Sequence, residues 1–486
     1  MHNDIPHLIN GKRVSATGRK LPVYNPALGE ISGESTVADQ KLVNEAVAAA
    51  SKAFITWSQT TPSQRAKILA RYKLVLDSEI DSLAKIVTAE HGKTYIEAVG
   101  SIQRGIDVLD YVCGLPGHLQ GMYTANVAKG INVYSMRQPL GVCAGITPFN
   151  FPAMIALWMF PMALACGNTF ILKPSEKNPS CSLKLVELAH EAGVPEGVIN
   201  LLNGDKETVD AILAHPGIQA VSFVGSSTVA EHVYKTSINH NKRAQAFGGA
   251  KNHSIIMPDA DLKQAAEAIT LAAYGSCGER CMAISVAVAV GDEVADKLVP
   301  LITERLHRFK VGPGMEENVE LGPLITQQHL DKVLSYVDEG IQEGATAVLN
   351  NSRMKPEHAK NGFFMGACLF DHVLPSMKIY RDEIFGPVLC VMRVPDFESA
   401  MQLINDHQYG NGTAIFTRDG YTARTFAERV QVGMVGVNVP VPVPVPYHSF
   451  GGWKNSVFAD TQMYGEEAIR FYTKLKTVTE RWPATT

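Results

Sequence analysis

The stretch "LGVCAGITPFNFPAMIALWMFPMALACGNTFILKPSE", residues 140–176, contains the pattern that decides the fold of this 486-residue chain. Its two short apolar segments, "LGVCAGITP" and "NTFILKPS", are predicted strands. Helices and strands continue the alternation in "PSCSLKLVELAHEAG", "VINLLNG", "KETVDAILAH", "AVSFVGS" and "STVAEHVYKTS". This alternation predicts right-handed crossovers and a doubly wound parallel sheet. Such sheets bind nucleotides at the carboxyl ends of their strands.

The segments on either side of this block extend the α/β prediction. Before it, "HLINGKRV" and "LPVYNPALGEISGEST" predict short strands around Asn-Gly and Leu-Gly turns, and residues 39–100 predict helices. After it, "HSIIMPDAD" predicts a strand, residues 262–274 a helix, and "AISVAVAVG" a strand buried on both faces. Alternate prolines in "VNVPVPVPVPYHSFGGWKNS" predict a stiff extended loop. The tail "EEAIRFYTKLKTVTERW" predicts a short helix and a polar strand.

Composition narrows the class of protein. With 46% hydrophobic residues, 19% charged residues and a net charge of −4, the chain has the character of a globular protein of two or three domains. It shows no basic run, so we expect no nucleic-acid partner. The N-terminus lacks an apolar signal core, and no 18-residue apolar run occurs. We therefore expect a cytoplasmic protein without a membrane segment.

Two cysteines lie four positions apart in "YGSCGERCMAISV", residues 274–286. Core packing, a metal clip, a disulfide, or one nucleophile with a neighbouring thiol would each fit Cys277 and Cys281. The eight cysteines are too sparse for a disulfide scaffold, and no second Cys/His pair supports zinc, so we expect no metal. Arg280 and the Gly-containing loop favour a thiolate at Cys281, whereas Cys277 is interpreted as structural. A buried, unreactive Cys281 remains the alternative at this point.

Three further segments contain candidate site residues, each with a plain structural alternative. Asn150 in "ITPFNFPAM" is either a turn former or an oxyanion-hole donor. Lys173 and Glu176 in "ILKPSE" form either a solvated charge pair or a contact to a nucleotide ribose. The segment "VGSSTVAEHV" lacks the GxGxxG fingerprint, but Gly225 permits a tight turn and Ser226 or the next serine is predicted to cap a helix. That helix start is either a plain cap or a phosphate site.

The segments together resemble the aldehyde dehydrogenase superfamily over essentially the whole chain. "NPALGE", "PFNFP", "ILKPSE", "SFVGS", "FGGAKNH", "GERC", "DEIFGPV" and "GGWKNS" occur in that family's order. The resemblance implies an α/β fold with a doubly wound, Rossmann-type NAD-binding domain, an α/β catalytic domain and a small β oligomerisation element. The implied bounds are 1–120 and 139–245 for the NAD-binding domain, 246–435 for the catalytic domain, and 121–138 and 455–486 for the oligomerisation element. It also implies a homodimer or homotetramer.

The resemblance assigns roles to individual residues. Cys281 corresponds to the nucleophile, and Asn150 to the oxyanion donor that acts together with the Cys281 backbone N–H. The implied contacts to NAD are Lys173 and Glu176 at the adenosine ribose, Gly225 and Ser226 at the pyrophosphate, Glu383 and Phe385 at the nicotinamide ribose, and Phe149 as a further cofactor contact. Because Glu176 would repel a 2′-phosphate, we expect NAD rather than NADP.

One departure from the family pattern predicts the acyl acceptor. Hydrolytic members carry "ELGGK", whose Glu activates water, but this chain reads "QAFGGAKNH" at residues 245–253, without a carboxylate. The chain most closely resembles the methylmalonate-semialdehyde dehydrogenase branch, which transfers the acyl group to coenzyme A. A thiol acceptor supplies its own thiolate, so a dedicated base matters less.

That branch oxidises semialdehydes that carry a carboxylate, with loss of CO₂. Arg104 in "SIQRGIDV" and Arg280 match the arginines to which the resemblance assigns carboxylate binding; a surface helix position is the alternative for Arg104. We therefore expect NAD-dependent, CoA-acylating oxidation of methylmalonate or malonate semialdehyde, giving propionyl-CoA or acetyl-CoA. The alternatives are a hydrolytic dehydrogenase with another carboxylate as its base, and a catalytically silent paralogue. Retention of Cys281, Asn150 and Glu383 argues against the silent form.

Overall fold

The structure is a computed structural model, and it describes residues 3–483 of the chain. The helices, in chain order, are α1 Gln40–Trp57, α2 Pro62–Ser78, α3 Ile80–His91, α4 Tyr95–Cys113, α5 Met154–Ala165, α6 Ser180–Glu191, α7 Lys206–Ala214, α8 Ser227–Asn239, α9 Leu262–Tyr274, α10 Asp292–Leu306, α11 Gln327–Gln342, α12 Lys378–Arg381, α13 Phe397–Asp406, α14 Gly420–Arg429 and α15 Gly465–Tyr472. Short 3₁₀ turns occur at Leu115–Gly117, Gly275–Gly278 and Glu357–Ala359.

The strands alternate with these helices through most of the chain. In chain order they are β1 Asn3–Ile5, β2 His7–Ile9, β3 Lys12–Val14, β4 Lys20–Asn25, β5 Glu30–Thr36, β6 Tyr123–Ala128, β7 Ile131–Pro139, β8 Val142–Ile146, β9 Thr169–Lys173, β10 Ile199–Leu201, β11 Ile218–Val224, β12 Arg243–Phe247, β13 Asn252–Ile256, β14 Ile284–Val290, β15 Thr346–Asn350, β16 Cys368–Asp371, β17 Val388–Val394, β18 Tyr409–Gly410, β19 Gly412–Phe416, β20 Met434–Val437, β21 Trp453–Lys454, β22 Val457–Phe458 and β23 Thr473–Glu480.

The first large sheet has the strand order β22-β12-β11-β8-β9-β10-β2-β3. Its five central strands, β12 to β10 in this order, are parallel, and antiparallel strands close both edges. The chain runs outward from β8 in one direction through β9 and β10, and then in the other direction through β11 and β12. The strand order therefore reverses between β8 and β11, which is the position where doubly wound sheets bind nucleotides. The predicted parallel sheet is confirmed.

Helices cover both faces of this sheet. One face carries α1, α7 and α8, and the other packs against α2 to α6. Helix α5 is central, because all twelve of its residues are buried and it contacts α4, α2 and α15 as well as the sheet. A helix that is apolar on every side belongs in the interior. Its position fixes the end of the loop that contains Asn150.

The second large sheet has the order β15-β16-β17-β14-β13-β19-β20 and is parallel except at β15. Helices α9 and α10 cover one face, and α11, α13 and α14 cover the other. The predicted boundary between residues 245 and 246 falls inside β12, the last parallel strand of the first sheet. Strand β14 is buried on both faces, as its continuous apolar sequence predicts.

Smaller elements complete the molecule. Strands β23, β7 and β6 form an antiparallel sheet, so the predicted polar strand at the C-terminal end pairs with residues 131–139. Strand β6 is exposed at every position. Residues 438–446, the alternating-proline loop, contain no strand and run between β20 and β21, as the prolines predict.

Candidate active site

A strained turn aims the loop that contains Cys281. Helix α9 ends at Tyr274, and the next residues include three successive left-handed conformations, with φ of 49° at Ser276, 54° at Cys277 and 74° at Gly278. Left-handed backbone is costly for residues other than glycine, and such strain concentrates at functional sites. The turn buries Cys277 and leaves Cys281 partly exposed before β14 begins.

Two asparagines hold the backbone of Cys281. The side-chain amide of Asn252, at the start of β13, donates to the Cys281 carbonyl oxygen over 2.9 Å. The amide of Asn411, just before β19, donates to the same oxygen over 3.0 Å. Both strands begin at the edge of the second sheet where β14 begins, so the nucleophile loop is tied to the amino ends of three neighbouring strands. Neither asparagine was identified from the sequence.

The thiol of Cys281 lies between two cavities. On one side is a cavity of about 320 Å³ that Arg104 and Arg280 also line. On the other side is a narrow cavity lined by Ala250, Asn252, Gly278, Glu383 and Phe385. Cys281 is therefore the residue that these two cavities share together with Arg280.

The expectation that these surroundings favour a thiolate is wrong, because burial outweighs the neighbouring positive charge. Burial raises the pKa of the Cys281 thiol to about 12, and the Glu383 carboxylate raises it as well. The backbone N–H groups of Cys281 and Met282, and the Arg280 guanidinium, lower that pKa by less than burial raises it. The Arg280 side chain instead donates to Glu97 over 2.9 Å. A positive charge brought by a ligand would shift the thiol toward the thiolate.

Asn150 is buried between the two sides of the site. Its backbone carbonyl accepts a hydrogen bond from the Lys93 ammonium over 2.6 Å, and its Oδ1 has no hydrogen-bond partner among residues 3–483. Its neighbour Phe149 packs edge-to-face on Phe385 with ring centroids 5.9 Å apart, while Phe151 lines the larger cavity beside Cys281. An oxyanion donor would use the N–H₂ group of this side chain, and the unpaired Oδ1 shows that the amide is not held in place by a neighbouring donor within the described residues.

Lys93 is a site residue that the sequence did not reveal. Its side chain is buried, its ammonium lies 4.1 Å from the centre of the Phe151 ring, and burial lowers its pKa to about 7. A buried ammonium that holds the Asn150 carbonyl fixes the backbone on which the oxyanion donor is mounted. No local pattern distinguishes this lysine from a surface one, because its partner lies 57 positions away.

The larger cavity brings together Cys281, Arg104 and Arg280. Arg104 projects from α4 as an exposed side chain, and within the described part of the chain it forms no ion pair. Arg280 pairs with Glu97, which lies on α4 two turns before Arg104. Apolar side chains form the remaining walls, among them Phe151, Met154, Trp158, Met282, Val441, Val443 and Phe450. The cavity fits a small molecule with one anionic end.

The carboxyl ends of the first sheet carry the residues predicted to contact adenosine and pyrophosphate. Lys173 ends β9, and its ammonium lies 3.4 Å from Glu176 Oε2. Although burial opposes ionisation of Glu176, the charge of Lys173 lowers its pKa below the usual value. Gly225 and Ser226 follow β11 and precede α8.

Ser226 occupies the N-cap position of α8, but its side chain makes no capping hydrogen bond within the described chain. The prediction that a serine side chain caps this helix is therefore wrong. The hydroxyl of Ser227 instead accepts from the Gly249 N–H over 2.7 Å. The first backbone N–H groups of α8 thus lack a side-chain acceptor and remain free for an anion.

Glu383 and Phe385 reach the narrow cavity from the segment before β17. The Glu383 Oε1 accepts from the Ala250 N–H over 3.0 Å, and burial raises the pKa of Glu383 to about 7. A side chain at Gly249 would place its Cβ 2.6 Å from Glu383 Oε2, so glycine is required for this close approach. Phe385 has φ of 60°, and its carbonyl accepts a hydrogen bond from His329 Nε2 over 2.7 Å.

The segment that carries the base in hydrolytic family members is apolar here. Ala246 and Phe247 are buried in β12, and the Gln245 amide donates to the Ser222 hydroxyl over 3.0 Å. The carboxylate that lines a cavity with Cys281 on this side is Glu383. On the other side Glu97 is already an acceptor for Arg280 and for the Ser276 N–H.

Three general features complete the description. No group of three or more His, Cys, Asp or Glu side chains that would hold a metal ion occurs in residues 3–483. In the same residues, no helix combines the length and the apolar character needed to cross a membrane. All eight cysteines, which lie within this range, are free thiols.

Comparison with known proteins gives consistent matches over nearly the full length. The sequence model described as "Aldehyde dehydrogenase family" matches residues 13–478. A malonate-semialdehyde dehydrogenase of Pseudomonas aeruginosa is 53% identical over 98% of this chain and 96% of its own length. The structure of a methylmalonate-semialdehyde dehydrogenase from Oceanimonas doudoroffii is 52% identical and superimposes with a TM-score of 0.99 over 100% of this chain and 99% of that one.

A third match includes a bound cofactor. A Sinorhizobium meliloti 1021 protein, assigned as a methylmalonate-semialdehyde dehydrogenase and crystallised with NAD, is 50% identical with a TM-score of 0.99. The match covers 100% of this chain and 99% of that one.

Proposed function

Because the chain belongs to the aldehyde dehydrogenase family, we propose that it oxidises malonate or methylmalonate semialdehyde with NAD and transfers the acyl group to coenzyme A. The observation that carries this proposal is the cavity that Cys281 shares with Arg104 and Arg280. A nucleophile at one point and two guanidinium groups on the walls suit a short aldehyde with a carboxylate at its other end. Relatives that are 44–53% identical carry the name malonate-semialdehyde dehydrogenase.

The residues present fit NAD. The bare N-terminus of α8, with Gly225 and Ser226, suits a pyrophosphate, and the Lys173–Glu176 pair suits the adenosine ribose. Glu383 and Phe385 are the proposed contacts to the nicotinamide ribose, and Phe149, which packs on Phe385, is proposed as a further cofactor contact. The negative charge of Glu176 disfavours a 2′-phosphate, so NAD is the proposed cofactor rather than NADP. Bound NAD supplies the hydride acceptor.

The chain's own groups account for the first half of the reaction. Once deprotonated, the Cys281 sulfur adds to the aldehyde carbon and forms a thiohemiacetal. The amide of Asn150 and the Cys281 backbone N–H stabilise its negative oxygen. After the hydride has left, Cys281 carries the acyl group as a thioester. Arg104 and Arg280 hold the substrate carboxylate throughout these steps.

The second half releases CO₂ and the acyl group. The bond to the carboxylate breaks, its electron pair passes to the thioester carbonyl, and Asn150 stabilises the enolate oxygen. Protonation of the enolate carbon gives an acetyl or propionyl thioester. The thiolate of coenzyme A then attacks this thioester and Cys281 leaves. The apolar segment Ala246–Phe247 supplies no base for water, which supports transfer to a thiol.

Product analysis with and without coenzyme A tests the proposal. Enzyme mixed with NAD and malonate semialdehyde alone should give a burst of about one NADH per active site followed by slow turnover, because the Cys281 thioester persists. Added coenzyme A should raise the steady rate and yield acetyl-CoA. A fast steady rate that does not depend on coenzyme A, with a free acid as product, would contradict CoA transfer.

A hydrolytic enzyme is the second candidate, and one observation favours it. Glu383 lines the narrow cavity with Cys281, and its pKa is raised by burial to about 7, which suits a general base. Its hydrogen bond from Ala250 and its place beside Phe385 support the role of ribose contact instead. A catalytically silent protein is the third candidate, and formation of NADH from any aldehyde would eliminate it.

We also propose that the protein is a homodimer or homotetramer that acts in the cytoplasm. Support for assembly comes from β6, an edge strand that is exposed throughout and carries Tyr123 and Val127. A long exposed edge strand is normally paired or covered.

A further inference from the structure

Glu97 contacts both the nucleophile loop and the proposed carboxylate site. Its Oε1 accepts from the Ser276 N–H over 2.6 Å and from Arg280 Nη2 over 2.9 Å. Its Oε2 accepts from the Thr94 N–H over 3.3 Å, which completes the capping box at the start of α4. One carboxylate therefore links the first turn of α4 to the strained turn before Cys281.

The Arg280 guanidinium is held where only glycine leaves room for it. A Cβ at Gly275 would lie 2.4 Å from the guanidinium carbon, so the group lies flat against the backbone there. Its Nε is buried and has no hydrogen-bond partner within residues 3–483. Glu97 thus occupies one edge of the guanidinium, while other N–H groups remain available to a ligand.

Besides its hydrogen bonds, Glu97 changes the net charge of the larger cavity. The ionisable side chains on α4 that line it are Glu97 and Arg104, and Arg280 faces them from the nucleophile loop. Two arginines and one glutamate leave a net charge of +1. A single substrate carboxylate neutralises that charge. Without Glu97 the cavity would carry one more positive charge and would attract a carboxylate more strongly.

We propose that Glu97 is a positioning residue whose negative charge beside Arg280 sets the selectivity for substrates bearing a carboxylate, while its contact with Ser276 positions the nucleophile loop. The inference rests on the proposed role of Arg104 and Arg280 in binding the substrate carboxylate. Glu97 opposes the attraction of that carboxylate to Arg280, and the same side chain keeps the turn before Cys281 in place.

Two substitutions of Glu97 separate the effect of its charge from the effect of its side-chain length. Glu97→Gln keeps an acceptor oxygen at nearly the same position but removes the charge. Its KM for malonate semialdehyde should fall by roughly two- to fivefold, the range for partly exposed charge pairs, with little change for propanal. Glu97→Asp keeps the charge but shortens the reach to Ser276. Its kcat should fall for both substrates while the ratio of their KM values stays near that of the unmodified enzyme.

The control for the underlying function is Arg104→Leu, which should raise the KM for malonate semialdehyde far more than that for propanal. If Arg104→Leu changes both substrates alike, the proposed carboxylate site itself is wrong. If Arg104→Leu behaves as expected but Glu97→Gln alters both KM values by the same factor, or neither, only the role of Glu97 is overturned. If Glu97→Gln does not fold, a change in the KM ratio of Glu97→Asp still contradicts the charge argument.

Discussion

At the scale of single residues, the environment of a thiol decides its role. Cys277 and Cys281 are four positions apart, yet Cys277 is buried within the left-handed turn and Cys281 lines both cavities. Burial raises the pKa of the Cys277 thiol well above its usual value. The sequence distinguished the two only through the neighbouring Arg280, whose guanidinium turns out to be paired with Glu97.

Substitution of each cysteine by alanine tests this difference. Cys281→Ala should abolish NADH formation, because the bond to the aldehyde carbon can no longer form. Cys277→Ala should keep most of the activity and lower the free energy of unfolding by about 1 kcal/mol or more, since it leaves a small cavity. The measurements are NADH absorbance and denaturant unfolding. Similar loss of activity in both variants would argue against a single nucleophile.

The effect of Glu383 on Cys281 predicts that the reactivity of the Cys281 thiol depends on pH. The pKa of Glu383 is about 7, so its carboxyl is mostly neutral below that pH and mostly ionised above it. Once ionised, it raises the pKa of the thiol. In the enzyme without NAD, Glu383→Gln should therefore speed alkylation of Cys281 by iodoacetamide above pH 7 and have little effect below pH 6.

Mass spectrometry of the Cys281 peptide gives the alkylation rate, and the Cys277 peptide provides an internal reference. An equal acceleration at every pH would mean that the substitution opens the site sterically rather than through charge.

At the scale of elements, we propose that the start of α8 binds the pyrophosphate of NAD through its backbone N–H groups. Its first N–H groups lack a side-chain acceptor because the Ser226 hydroxyl makes no cap and Ser227 is occupied by Gly249. A helix N-terminus attracts a negative charge, whether from a ligand or from a side chain. A carboxylate placed there would compete with the cofactor.

Ser226→Asp tests this competition. Aspartate is a good N-cap, so the melting temperature should stay the same or rise, while the Kd for NAD should increase about tenfold or more through repulsion of the pyrophosphate. The matched control is Ser226→Asn, which caps the helix without charge and should bind NAD more tightly than the aspartate variant. Calorimetric titration with NAD measures both. An unchanged Kd for NAD in Ser226→Asp would show that the pyrophosphate does not bind at this helix.

The elements were largely predictable from sequence, and the links between them were not. Periodicity and turn residues are local signals, so β8, β9, β11, α8 and α9 were predicted at nearly their observed positions. The motifs made Cys281, Asn150 and Glu383 candidate site residues because they lie in short recognisable segments, and the structure brings Cys281 and Glu383 to one cavity. Lys93 and Asn411 act over 57 and 130 positions, and neither stands in a pattern that predicts its partner.

The role of Glu97 was only partly predictable from the sequence. The Thr-x-x-Glu spacing that begins α4 is a recognisable capping box, but the second use of its carboxylate, by Ser276 and Arg280, depends on tertiary contacts. The backbone of the turn at 276–278 was likewise not predicted, because two of its left-handed residues are not glycine.

At the scale of the whole molecule, the site lies between the carboxyl ends of the strands of the first sheet and the amino ends of the strands of the second sheet. The carboxyl ends of the first sheet supply Asn150, Lys173 and Ser226, whereas Cys281 lies at the amino edge of the second. Glu383 also precedes a strand of the second sheet. Small shifts between the sheets would therefore change the distance from nucleophile to cofactor.

Assembly should depend on the exposed strand β6. Replacing Tyr123 and Val127 together by glutamate should shift the protein to a smaller species, because like charges on an edge strand oppose pairing with a second copy. Sedimentation velocity measures the species present. Tyr421→Glu, at an equally exposed position on α14, is the control and should leave the assembly unchanged. Assembly that survives the double substitution would locate the interface elsewhere.

The alternating-proline loop at 438–446 has a consequence for cleavage of the chain. On its N-terminal side β20 is paired in the second sheet, and on its C-terminal side β22 and β23 are paired in the first sheet and the antiparallel sheet. A protease that cut at the exposed Tyr447, directly after this loop, would leave two fragments, and the C-terminal one would stay anchored by its strand pairing and by α15. The pieces should remain associated in solution and separate only in denaturant. The chain can therefore be expressed as a long N-terminal fragment and a short C-terminal fragment divided at this loop. The cavity wall formed by Val441 and Val443 is the part that such a division would disturb most.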